Sequence, residues 1–175
     1  MLKKRGQIWV ETVIYTLIAF VIIGTVLSFV KPKVEELQDQ ALIDQSVRVM
    51  QDINELITSV IQGGPGNKRL IELGLKKGDL KIDGEKDLFL FEIESRYTYS
   101  EPGKNINIGS VIARTEKQGR LNMVSLMSNY SGIYNITFQG TDSSKSIGKA
   151  PIPHKIFILN KGVVGNQTQL DVTLG

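Results

Sequence analysis

The sequence predicts an α+β chain: a long N-terminal helix followed by an antiparallel β-sandwich-like head packed on the upper half of that helix. Three observations predict it. Residues 8–30 form an almost unbroken apolar run. Residues 34–60 repeat apolar side chains at helical spacing. Beyond Gly66 the apolar period changes to two.

The run IWVETVIYTLIAFVIIGTVLSFV holds a single formal charge, Glu11. As a helix it measures roughly 34 Å at about 1.5 Å per residue, enough to cross a hydrocarbon core of about 30 Å. Lys3, Lys4 and Arg5 precede it. The positive-inside rule keeps such a cluster in the cytoplasm, so a single-pass N-in, C-out arrangement is expected. Lys31 and Lys33 follow the run and weaken that asymmetry. A secretory signal has a shorter apolar core and is cut at its far end. Here the run continues into more helix.

Pro32 removes one helical hydrogen bond, so a kink is expected there. Helical periodicity then resumes, with Val34, Leu37, Ala41, Leu42, Val49, Ile53, Leu56 and Val60 close to one face. Gly63, Gly64, Pro65 and Gly66 cannot continue a helix. One helix over residues 7–62 is therefore expected, with a membrane span at about residues 8–30.

In FLFEIESRYTY, Phe89, Phe91, Ile93, Tyr97 and Tyr99 alternate with Leu90, Glu92, Glu94, Arg96 and Thr98. Similar short runs fall at 70–75, 79–82, 106–114, 120–127, 133–138, 155–160 and 169–174. Turn residues separate them, among them Gln118 and Gly119, Lys161 and Gly162, and Gly165 and Asn166. The expectation is eight strands over a head of residues 67–175. A Gly-, Ser- and Lys-rich loop is expected at 139–153.

The formal charge is +3, from 21 basic and 18 acidic residues. Three of the basic residues are Lys3, Lys4 and Arg5, so the chain after Gly6 carries 18 of each sign. That balance gives no reason to expect nucleic acid as a partner. The absence of cysteine excludes disulfides, thiol nucleophiles and thiolate metal sites. His154 is the only histidine, between Pro153 and Lys155, and reads as a loop residue. No metal-loop spacing occurs, and the glycines at 63–66 lack the lysine ending of a phosphate loop. No enzymatic activity, metal or cofactor is expected. Three N-x-[ST] sequons, at Asn129, Asn135 and Asn166, are candidate glycan acceptors in an exported chain and ordinary polar residues otherwise.

Glu11 carries the functional question. A carboxylate at membrane depth costs about 2.5–3.5 kcal/mol and marks a purpose or a partner. If the chain is cut after Gly6, Gln7 becomes a positively charged N-terminus one turn away. The Glu11 of a neighbouring copy could pair with that amine and set axial register, as one buried polar group does in a coiled coil. In the other reading, Glu11 snorkels to the near interface and is solvated.

The stretch KKRGQIWVETVIYTLIAF resembles the class III, prepilin-type signal sequence of archaeal type IV pilin-like proteins. The resemblance covers roughly the first 30 residues. It rests on the basic leader, Gly6 before the cut, Gln7 as first mature residue, Glu11 as the fifth, and the apolar helix. It implies a leader of residues 1–6, removed by a prepilin peptidase. It further implies polymerisation through the helix with copies of itself or related pilins, extraction from membrane lipid, and an assembly ATPase with a membrane platform protein. The expected role is a structural subunit of an extracellular adhesive filament at the cell surface. The alternatives are a membrane-anchored minor pilin or pseudopilin-like binding module, and an archaellum subunit.

Overall fold

The computed structural model describes the backbone of residues 3–175 and the side chains of residues 9–175. It contains one helix, α1 (Lys3–Gln62), and ten strands. These are β1 (Lys68–Leu73), β2 (Asp79–Asp83), β3 (Leu88–Ser95), β4 (Asn105–Ile108), β5 (Val111–Gln118), β6 (Leu121–Asn129), β7 (Tyr134–Phe138), β8 (Ser144–Ile147), β9 (His154–Val164) and β10 (Gln167–Leu174). The helix-then-β order is the one the sequence predicts. The chain divides into two compact units, one ending at Gln38 and one spanning Asp39–Gly175, so the boundary falls inside α1.

α1 is continuous through Pro32. It stops at Gln62 where glycines are expected to stop it. Gly63 N–H still bonds the Ser59 carbonyl (3.1 Å), and Gly64 N–H bonds that of Ile61 (3.0 Å). Gly64 (φ 77°) and Gly66 (φ 85°) then take the left-handed backbone that ends the helix.

In the second unit, one sheet orders β1-β9-β10-β7 and the other β4-β5-β6-β3-β2-β8. Nearly every pairing is antiparallel, as expected; β7 lies parallel to β10. Strand β3 follows the predicted alternation over 88–95: Phe89, Phe91 and Ile93 are buried, and Glu92 and Glu94 are exposed. These side chains join Ile156, Ile158, Leu170 and Val172 from the other sheet, and Met50 and Ile57 from α1, in one core.

Four strand expectations are corrected. Residues 106–114 form two strands, because Gly109 (φ 61°) leads a two-residue turn between Ile108 and Val111. The expected loop 139–153 contains β8, a polar edge strand paired with β2. Lys161 and Gly162 are not a turn. They lie within β9, at a bulge where Gly162 faces Gln169 and Asn160 faces Leu170. Tyr97 and Tyr99 lie beyond the end of β3, packed edge-on at 6.4 Å and partly buried against the core.

The buried face of α1 is also corrected. Asp39, Ile43, Ser46, Val47, Met50, Ile53, Ile57 and Val60 are buried. Only Ile53 and Val60 belong to the expected stripe. Leu42, Val49 and Leu56 are half-buried beside it. The true face is rotated by about 100°, one helical residue. Asp39 is the charged member of this stripe, 8% exposed. Its carboxylate accepts from Lys77 Nζ (2.6 Å) and from the Arg96 backbone N–H (2.7 Å). Farther along α1, Tyr130 OH donates to Asn54 Oδ1 (3.0 Å), and burial pushes the Tyr130 phenol up to about 12. Beyond the helix, Gly66 N–H bonds the Asn160 carbonyl (2.7 Å).

Asp83, 2% exposed, sits at the end of β2. Burial alone would raise its pKa. Hydrogen bonds from Lys81 Nζ (2.7 Å), Ser144 and the Lys86 backbone N–H (3.2 Å) outweigh that and hold the carboxyl below its usual range.

Two outcomes follow for the folded chain in detergent, read by urea unfolding. Met50→Ala is expected to cost about 2–5 kcal/mol, whereas Leu37→Ala, 56% exposed, is expected to cost under about 0.5 kcal/mol. The depressed Asp83 pKa gives stability that is complete above the unfolded-state value of about 4. That stability is lost as pH falls through the lower folded value, so Asp83→Asn is expected to flatten this part of the acid limb.

Candidate functional site: an uncovered apolar helix with one carboxylate

From Trp9 to Val30 each residue of α1 is exposed. Large apolar side chains surround the helix: Trp9 (72% exposed), Phe20 (67%) and Phe29 (75%) are typical. No other part of the described chain covers them. Fifteen such side chains between Trp9 and Val30, at about 1.5–3 kcal/mol each, amount to tens of kcal/mol of unfavourable hydration. The helix is long and apolar enough to cross a membrane.

Three hydroxyls in this stretch are engaged with the helix itself. Thr16, Thr25 and Ser28 donate to the carbonyls of Thr12 (2.8 Å), Val21 (2.7 Å) and Gly24 (2.8 Å), one turn back. This back-bonding hides a hydroxyl from hydrocarbon at no cost in partners. A Cβ added at Gly24 would meet nothing within 4 Å. Glu11 differs. It is the one formal charge between Trp9 and Val30, it is exposed, and it makes no hydrogen bond or ion pair among the described residues. It lies near one end of the apolar stretch, between Trp9 and Tyr15, aromatic side chains of the kind that collect at membrane interfaces.

The remaining residues expected to matter fall as follows. Only the backbone of Lys3, Lys4, Arg5, Gly6 and Gln7 is described, as part of α1; their side chains lie outside the described residues. Pro32 is internal to α1. Asn129 and Asn166 are exposed, Asn166 in the two-residue turn between β9 and β10. Asn129 Oδ1 accepts from the Ser131 N–H (2.9 Å). Asn135, on β7, is half-buried, and its Oδ1 is enclosed without a hydrogen-bond partner. His154 opens β9 and its Nε2 lies 2.8 Å from the Gly148 carbonyl oxygen. Among the described residues, no three His, Asp or Glu side chains come together as a metal site.

Sequence reasoning missed Asp39. Its neighbours in the chain are polar, and the residues that hold it, Lys77 and Arg96, lie 38 and 57 residues away. No local signal could have found it. Neither a family model, nor a curated protein, nor a solved structure matches this chain.

Replacing Ile22 with Arg at the middle of the apolar stretch is expected to lower the membrane-insertion equilibrium roughly a hundredfold, from a cost of about 2.5–3.5 kcal/mol. Ile22→Leu is expected to leave it unchanged. The fraction sedimenting with lipid vesicles reads both.

Proposed function

We propose that this chain is a subunit of a type IV pilus-like filament. It is made with a prepilin-type leader, held in the membrane by α1 and then assembled through that same helix, with the head giving adhesion at the cell surface. The observation that carries the proposal is the uncovered apolar surface of residues 9–30 around a lone carboxylate. A simple anchor needs the apolar length alone. A carboxylate inside that length is a cost unless a cation meets it.

The cation proposed is the Gln7 amine of a neighbouring copy, freed when a prepilin peptidase cuts after Gly6. Cleavage there removes Lys3, Lys4 and Arg5 and keeps the apolar helix. The two charges meeting among apolar helices would fix axial register between copies. Mismatched registers would leave both charges buried and unpaired, a penalty of about 3–5 kcal/mol. Moving the helix from lipid into a bundle keeps its apolar surface dry at both ends of the path. Work is still needed to withdraw it, and the proposal assigns this to an assembly ATPase acting through a membrane platform protein. The filament would be extracellular, with the chain N-in, C-out before assembly. Asn129 and Asn166 are the sequon asparagines with accessible side chains for glycosylation.

Gly6→Val is expected to leave the leader attached, seen as an unprocessed N-terminal mass. Glu11→Val is expected to insert and be processed normally, yet to lower the yield of filaments sheared from cells at least about tenfold. Full filament yield from Glu11→Val would remove the pairing role.

A further inference from the structure

The head has two solvent-facing sheet surfaces, each carrying an apolar patch; carboxylates without a salt bridge flank one patch, and loosely held ammonium groups flank the other. On the six-stranded sheet, Ile112, Met127 and Leu90 stand in register across β5, β6 and β3. All three are half-buried and point away from the core, because their neighbours along each strand are the buried ones. Lys81 stands beside Leu90 at the end of this row. The next row along holds two carboxylates, Glu92 facing Asp79 across β3 and β2, and then Ser125 and Arg114, the latter bonded to Glu116 (2.9 Å); Glu94 follows Glu92 two residues on. The carboxylates of Asp79, Glu92 and Glu94 are exposed and make no salt bridge among the described residues.

On the four-stranded sheet, Leu70 of β1 faces Phe157 of β9, and Leu159 lies one row along. Leu70 is 44% exposed. Cations frame this patch. Lys68 Nζ lies 4.4 Å from the centre of the Phe157 ring, and Lys155 lies only loosely against Glu72, at 3.7 Å. Lys68 and Lys155 are both exposed.

We propose that these two faces dock on each other between copies of this chain. The row Ile112-Met127-Leu90 of one head would lie on Leu70, Phe157 and Leu159 of the next, with Glu92 and Glu94 opposite Lys68 and Lys155. The occupant is a second copy because the chain carries both halves of the match: apolar row against apolar patch, unpaired carboxylates against weakly paired ammonium groups. The contact joins two different surfaces, so it is heterologous. A docked pair keeps one free face of each kind, one on each head, and such contacts propagate instead of closing on a pair. This deepens the filament reading by naming what the heads do to one another, and it rests on that reading only for its setting.

Crosslinking of the full-length chain on cells, and in material sheared from them, tests it; the absence of native cysteine gives a clean background. Leu70→Cys combined with Met127→Cys is expected to give a ladder of multimers with a short bis-maleimide. Each single variant alone is expected to stay monomeric, and the two single variants co-expressed to stop at a dimer. Glu92→Lys with Glu94→Lys is expected to cut the crosslinked fraction about tenfold, and adding Lys68→Glu with Lys155→Glu to restore it. Homodimers from either single variant, an absent ladder, or no charge rescue overturns the contact. Filaments without the ladder sink this contact alone. A ladder in membranes that never yield filaments sinks the filament reading alone.

Discussion

An apolar helical surface that its own chain leaves bare must be covered by something else. That constraint governs the rest of this protein. Tens of kcal/mol of hydration cost attach to residues 9–30 in water, far more than a domain's whole net stability of about 5–15 kcal/mol. The chain therefore exists with this segment in lipid or among other helices. Thr16, Thr25 and Ser28 bond back to carbonyls of the same helix and tolerate either surrounding. Glu11 does not: in the assembly proposed above its charge would make the two surroundings differ, and so would make a move from one to the other selective.

The second unit solves a separate problem. It needs no cover, because α1 from Asp39 onward lies in a core shared with both sheets. The same helix thus serves two folding regimes. Over residues 9–30 its own backbone hydrogen bonds are enough to hold the helix in a medium without water. After Asp39 its stability comes from packing of Ile43, Met50, Ile53 and Ile57, and from Asp39 holding Lys77 and the Arg96 backbone. No disulfide is present to assist, so this core and its buried hydrogen bonds hold the head.

Much of this was legible in the sequence, and the failures have physical reasons. The apolar run was readable because length and lack of charge suffice. The stop at Gln62 was readable because glycine chemistry is local. β3 was readable because Phe89, Phe91 and Ile93 alternate with polar or smaller neighbours. The helix face was misjudged by one residue because Leu42, Val49 and Leu56 run beside Ile43, Met50 and Ile57. Both stripes satisfy helical spacing, and only tertiary packing chooses between them. β8 was hidden because an edge strand needs few apolar residues, and Ser144, Lys145 and Ser146 look like loop. The parallel partnership of β7 with β10 has no local signature at all. At the candidate site, Glu11 stood out from chemistry alone, while the outward rows on the two sheets needed the strand register to align them.

Assembly through α1, as proposed, requires that the chain lose its basic leader and keep its apolar helix. Intact-mass measurement on native material released from the cell surface tests this most directly. A chain beginning at Gln7 and still carrying residues 8–30, in lipid-free particles, is the expected result. A chain still beginning at Met1, or one cut beyond Val30 so that the helix is lost, would contradict it.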